Sequence, residues 1–165
     1  MLTLLTIKNI ALIGHLSVEF GEGLNLLTGE TGSGKSIIVD SLAALTGERV
    51  SGDLIKSGET SAAIEGLFSV PASNIFLRIL DESGIEADGS GDVELIVRRE
   101  LSAAGKNRVF VNGQLITQGF LKRLGPFLVD IHGQGEQAAL YQKENQIRQL
   151  DRFAETGAHM TGVGD

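Results

Sequence analysis

Three observations on the sequence predict an α/β fold built around a phosphate-binding loop. First, Gly29-Glu30-Thr31-Gly32-Ser33-Gly34-Lys35-Ser36 fits the pattern G-x-x-x-x-G-K-[ST]. Second, the loop is preceded by Leu24-Asn25-Leu26-Leu27-Thr28, which reads as a strand, and followed by residues 37–45, which read as a helix. Strand, loop, helix is the context the motif requires. Third, the rest of the chain mixes stretches of period two with stretches of helical spacing. All four fixed positions match in the right setting, which separates the motif from a glycine-rich turn.

The elements follow in order. Residues 2–9 read as a first strand ending in Lys8-Asn9. His15-Leu16-Ser17-Val18-Glu19-Phe20 alternates apolar and polar residues, the period of a half-buried strand. Gly21-Glu22-Gly23 connects it tightly to 24–28, giving a small β-meander that leads into the loop. The helix after the loop is expected to end near Gly47, a C′ glycine. Residues 48–59 are polar apart from Leu54-Ile55. Residues 62–70 read as a strand, with Ile64, Gly66, Phe68 and Val70 in phase and Pro71 as its stop. Ser73 is expected to cap a helix over 74–81 that buries Ile75, Phe76, Ile79 and Leu80. Residues 83–92 form an acidic, glycine-rich loop.

Residues 93–101 read as a strand, Ala103-Ala104-Gly105-Lys106 as a turn, and 107–112 as the antiparallel partner, followed by the turn signal Asn112-Gly113. A short helix is expected around 117–124. Pro126 then opens an apolar strand, Phe127-Leu128-Val129-Asp130-Ile131, which ends at His132-Gly133-Gln134-Gly135. Residues 136–153 are helical in character, either a core helix or the root of a coiled coil. The chain is small and polar from Glu155 onward, with no internal repeat.

Composition narrows the function classes. A chain of 165 residues suffices for one domain with a sizeable core. It has no Cys, so no disulfide framework and no thiolate metal site, and its three His residues lie far apart. No apolar run approaches the roughly 20 residues that span a membrane. The opening Met1-Leu2-Thr3-Leu4-Leu5-Thr6 lacks a basic flank and a long apolar core, so a signal peptide is not expected and the default location is the cytoplasm. A net charge of −7 argues against a whole-surface grip on nucleic acid and leaves room for a local basic patch.

The loop's residue types indicate its chemistry. Gly29, Gly32 and Gly34 permit backbone angles that a side chain would hinder, so the N–H groups can wrap a phosphate. The helix opening near Lys35 adds the positive end of its dipole. Lys35 is expected to reach the β- and γ-phosphates of a nucleotide, and Ser36 to ligate the Mg²⁺ that bridges them.

Beyond the loop, several segments carry a family resemblance. They are Thr6-Ile7-Lys8-Asn9-Ile10-Ala11-Leu12-Ile13, Glu19-Phe20, Gly23-Leu24-Asn25, Thr28 through Ser36, Arg108-Val109-Phe110-Val111-Asn112-Gly113 and Asp130-Ile131-His132-Gly133-Gln134. Over 1–153 the chain resembles the opening of the RecN family of bacterial DNA repair proteins, in the SMC-like branch of the ABC-type ATPases. The resemblance implies a P-loop fold of ABC/SMC head type, here an N-terminal lobe with a mixed sheet and a flanking antiparallel β-subdomain. Residues 1–153 would be half of the head, and 154–165 the start of a coiled-coil connection. The implied ligands are ATP and Mg²⁺. The implied partners are the C-terminal half of the same head, a second head in an ATP-dependent dimer, and DNA through the full-length protein, acting in the cytoplasm at the nucleoid.

By the same resemblance, Lys35 and Gln134 are the catalytic residues, with Gln134 and Ser36 on the metal. Gly29, Glu30, Thr31, Gly32, Ser33, Gly34, Lys35, Ser36 and Ile37 bind nucleotide phosphates, and Lys8 and Asn9 line the adenine and ribose. Arg49 either reaches the phosphates or is an exposed arginine beside Glu48. The signature motif, Walker B aspartate and catalytic glutamate of the family are missing from this sequence, and Asp130 reads as a strand-end polar residue. The chain is therefore expected to hold nucleotide without turning it over.

Arg98, Arg99, Lys106 and Arg108 cluster around one predicted hairpin, with Lys122-Arg123 nearby. They are either a DNA-backbone contact or a solvated face, and the acidic balance favours the second. The rival readings of the whole are another SMC-like or ABC-type subunit, a small nucleotide kinase, and a DNA-binding module with a vestigial loop. A kinase would need an acceptor pocket and an arginine-rich lid, neither of which stands out.

Overall fold

The computed structural model describes residues 1–29, 34–87 and 91–131. The chain divides into two units, Met1–Asp130 and Ile131–Asp165, and the fold set out here is that of the first. Its elements are β1 (Leu2–Ile10), β2 (Ile13–Glu19), α1 (Lys35–Leu45), β3 (Ser61–Pro71), α2 (Asn74–Asp81), β4 (Asp92–Ser102), β5 (Arg108–Val111), β6 (Gln114–Ile116) and α3 (Gln118–Leu128). A single 3₁₀ turn, Gly52–Leu54, lies between α1 and β3.

The six strands form one sheet in the order β2-β1-β3-β4-β5-β6. The sheet expected to be mixed is antiparallel at every described pairing. The core meander and the flanking β-subdomain are therefore one continuous surface rather than two. The long partners β3 and β4 pair from Ser61↔Ser102 to Pro71↔Asp92.

Period-two alternation decides the two faces. Leu5 and Ile7 of β1, Ile64 and Phe68 of β3, and Leu95, Val97 and Leu101 of β4 point to one face and are buried. The three helices cover that face: α1 packs on β3 and β4, α3 on β3, and α2 against α3. On the opposite face Ile96 and Leu115 are exposed. No helix among the described residues is long and apolar enough to cross a membrane.

Local chemistry sets the helix boundaries. Ser73 accepts from the Phe76 N–H and Thr117 from the Phe120 N–H, each a side-chain N-cap. The helix after Ser73 covers 74–81 as expected, and Phe76 and Leu80 are fully buried. Ile75, expected on the buried side, is exposed instead. The turn Asn112-Gly113 has positive φ at both residues, 48° and 80°, the backbone a type I′ hairpin demands. It joins β5 to β6, a short strand that the sequence pattern does not announce.

Two predicted strands do not form. Residues 24–28 are irregular, and Leu24 and Leu26 are among the most exposed apolar residues. β-prone residues become a strand only where a neighbour completes the hydrogen-bond ladder, and no described strand lies beside them. The second is 127–131: α3 runs on through Pro126, Phe127 and Leu128. Phe120, Leu121, Leu124 and Leu128 recur at helical spacing and are buried. That face outweighs Pro126, which removes one N–H from the last turn. The predicted helix at 136–153 lies outside the described residues.

Candidate functional site

The loop's descending arm opens α1. Gly34 is the N-cap residue, in the left-handed region with φ 94° and ψ 4°. Its carbonyl accepts from the N–H groups of Ile37 and Ile38 at 3.1 and 3.3 Å. No side chain caps this end and no acidic residue sits in the first turn. Within the first turn, then, no carboxylate offsets the positive end of the dipole. Lys35 Nζ donates to the Gly29 carbonyl, so the lysine folds back across the loop and ties its two ends together. Ser36 is exposed beside it.

The arm that enters the loop is held differently. Asn25 accepts from the Gly21 N–H at 3.1 Å and donates to the Gly21 carbonyl at 2.9 Å. This clasp shapes the turn at 21–25 and leaves the leucines outward.

The structure thus brings Gly29, Gly34, Lys35, Ser36 and Ile37 together. Glu30, Thr31, Gly32, Ser33 and Gln134 lie outside the described residues. Lys8 and Asn9 stand near the end of β1. Asn9 has φ 54°, its Nδ2 donates to Glu59 Oε2 at 3.1 Å and the Ser61 carbonyl at 3.3 Å, and its own carbonyl accepts from the Lys56 N–H at 3.0 Å. Arg49 is exposed and follows the end of α1 opposite Lys35.

The hairpin cations separate by strand phase. Lys8, Arg98, Lys106 and Arg108 line an open groove of about 500 Å³ on the uncovered sheet face, together with Glu100. Arg98 pairs with Glu100 at 2.6 Å, an exposed pair of little energetic weight. Arg123 pairs with Glu82.

Arg99 does not belong with them: it points to the covered face and is 2% exposed. Its Nη1 donates to the carbonyls of Ala44 at 2.8 Å and Glu48 at 2.6 Å, while Nε has no partner. Burial pushes the Arg99 guanidinium below its ordinary pKa. The signal was available: Val93, Leu95, Val97, Arg99 and Leu101 share one phase of the strand, all of them apolar except the arginine.

The end of α1 that Arg99 holds is closed tightly. The Glu48 N–H bonds the Ala43 carbonyl and the Gly47 N–H bonds the Ala44 carbonyl, a Schellman motif with Gly47 at φ 94°. A Cβ on Gly47 would stand 2.7 Å from the Lys122 backbone, and one on Gly125 would stand 2.4 Å from the Thr46 carbonyl. Backbone meets backbone where α3 crosses this end.

Comparison with known proteins agrees with this architecture. The family model described as an AAA domain matches residues 4–156. The DNA repair protein RecN of Bacillus subtilis is 43% identical over 154 residues, which are 93% of this chain and 26% of that protein. The chain thus spans about a quarter of the curated relatives it matches. Among solved structures, the Smc head domain with a coiled coil and joint from Pyrococcus yayanosii aligns with a TM-score of 0.69 at 19% identity, covering 95% of this chain and 33% of that one. A chain solved in work on ATP-driven dimerization and DNA-stimulated activation of SMC ATPases aligns with a TM-score of 0.63 at 20% identity, covering 90% of this chain and 95% of that one. The expected head-type fold is therefore the observed one. With one model matching nearly its whole length, the chain belongs to the AAA domain family.

Proposed function

We propose that this chain is the nucleotide-binding half of an ATPase head and that its ligand is ATP with Mg²⁺. The observation that carries the reading is the start of α1: an uncapped helix end, a left-handed Gly34, and Lys35 folded over the loop onto Gly29. Phosphate oxygens would draw the Lys35 ammonium from that carbonyl and accept from the helix N-terminus, pairing the cation with an anion.

The donor set suits a metal carried by the nucleotide. Among the described residues no three His, Cys, Asp or Glu side chains converge on a cation site. Ser36, exposed in the first turn, offers a single hydroxyl. Mg²⁺ is commonly held by few protein oxygens together with phosphates and water. Ser36 would be its ligand, with Gln134 the proposed second, and its chemistry there is charge neutralisation between phosphates. Glu30, Thr31, Gly32 and Ser33 would supply the remaining loop contacts, Arg49 a further contact to the phosphates, and Lys8 and Asn9 those to the adenine and ribose.

The half-head would cover 1–153, with 154–165 leading into a coiled coil. Leu24, Leu26 and Leu27 fit a segment that becomes a strand against the absent C-terminal half, which would also supply the missing hydrolytic residues. The full-length protein would then act in cytoplasmic double-strand-break repair and recombination, two ATP-bound heads engaging over DNA. The relatives' name and the SMC neighbour support this reading.

The test is ATP-Mg²⁺ binding by calorimetry on the full-length protein and on Lys35→Ala. Saturable binding that is lost in the variant is the expected result. Equal binding by both would sink the assignment.

A further inference from the structure

We infer that Arg99 is a positioning residue of the nucleotide site and that it acts through α1. The inference rests on the reading of Gly34 to Ile37 as the phosphate-binding end of that helix.

Arg99 stands alone as a charged group on an apolar sheet face, and the reason lies opposite it. The last carbonyls of a helix have no partner within the helix. At the C-terminal end of α1 water is kept off by α3, whose backbone meets Thr46 and Gly47. Ala44 is 1% exposed. The Ala44 carbonyl already accepts from the Gly47 N–H, and one guanidinium nitrogen adds a charged donor to it and to the Glu48 carbonyl just past the helix. A cation at this end also suits the sign of the helix dipole. Gln118 adds a weaker bond to the Gly47 carbonyl at 3.4 Å.

The consequence for the other end is geometric. Eleven residues make a helix roughly 16 Å long at 1.5 Å per residue. A tilt of about 4° at the anchored end moves the far end by about 1 Å, a displacement large enough to spoil a site that relies on placement. Among the described residues the near end is held by Ile37 and Ile38, which pack against the core, while Ser36, Val39 and Asp40 are exposed, so the polar clamp lies at the far end. Where Lys35 and the first-turn amides sit is thus set from β4, through Arg99.

The experiment uses the full-length protein with Arg99→Met, Arg99→Lys and, as a control of equal chemistry on an exposed helix position, Arg78→Met. Two quantities are read for each: the Kd for ATP-Mg²⁺, at a temperature where the variant is folded, and hydrogen exchange of the amides at 36–39. The expected result is a Kd raised about tenfold in Arg99→Met, part of it restored in Arg99→Lys, faster exchange at the start of α1, and no change in Arg78→Met. Should Arg99→Met fail to fold, Arg99→Lys alone decides, by the same two readings. A lowered melting temperature with a Kd and exchange pattern matching wild type would overturn the inference and leave Arg99 a purely structural group. Absence of ATP binding by the wild-type protein is a different failure: it removes the nucleotide reading itself, and this inference with it.

Discussion

Two glycines frame α1, and both have φ 94°: Gly34 at its N-cap and Gly47 just past its C-cap. The backbone demand is the same and the surroundings are opposite. Among the described residues, a Cβ on Gly34 would meet nothing nearer than Ile37 Cδ1 at 3.8 Å, an ordinary contact. A Cβ on Gly47 would stand 2.7 Å from the Lys122 backbone, which cannot turn aside as a side chain can. Backbone meets backbone at one end of the helix, while at the other Ser36, Val39 and Asp40 are exposed among the described residues. A helix that must present its N-terminus to a ligand is best fixed from its far end, because contacts at the near end would compete with the ligand for the same amides.

The matched pair gives the largest predicted effect. Gly47→Ala adds left-handed strain of about 1–2 kcal/mol to overpacking of about 1–3, so roughly 2–5 kcal/mol in all. Urea unfolding reads it directly. Gly34→Ala carries only the strain, about 1–2 kcal/mol, and weakens ATP-Mg²⁺ binding besides. The difference between the two is the packing at the α3 crossing. Equal losses would mean that α3 shifts freely, and the contrast between the ends would collapse.

The capping of α3 tests the same crossing from the other side. Thr117 accepts from the Phe120 N–H at 3.1 Å and starts the helix whose backbone meets Thr46 and Gly47. Thr117→Ala is expected to cost about 1 kcal/mol, visible as a lowered midpoint with an unchanged slope in urea. A loss beyond about 2 kcal/mol would show that the cap governs the crossing and not α3 alone.

How much of this was legible beforehand depends on how local each cause is. Ser73 and the 74–81 helix, the β4–β5 hairpin, the Asn112-Gly113 turn and the Gly47 stop rest on neighbours in sequence, and the pattern gives them. The start of α1 after Gly34 follows from the same kind of local pattern. What the pattern misses is decided at a distance. Leu24 to Thr28 has the composition of a strand and lacks a neighbour to pair with. Phe127 and Leu128 fit a strand or a helix equally, and burial beside Leu124 settles it. Arg98 and Arg99 are adjacent in sequence and look like one cluster, yet adjacent strand residues face opposite ways and the two side chains stand on different faces of the sheet.

The smallest expected effect concerns the open end, and it is informative because it is small. Leu26 is 78% exposed and precedes the loop in a segment without regular structure. In this chain by itself Leu26→Ser should change stability by less than about 0.5 kcal/mol, the usual range for exposed positions. In the full-length protein, a leucine covered by the C-terminal half would cost about 1.5–3 kcal/mol to replace. Thermal melts of the two forms, each with and without the substitution, make the comparison. A cost that appears only in the longer protein means that the lead-in becomes a strand when its partner arrives. Equal small effects in both would leave the leucines exposed in the whole head, and a contiguous apolar stretch of that kind would then need another molecule to cover it. A cost already present in the short chain would show that the lead-in packs on its own fold, and the near end of α1 would be less open than its neighbours imply.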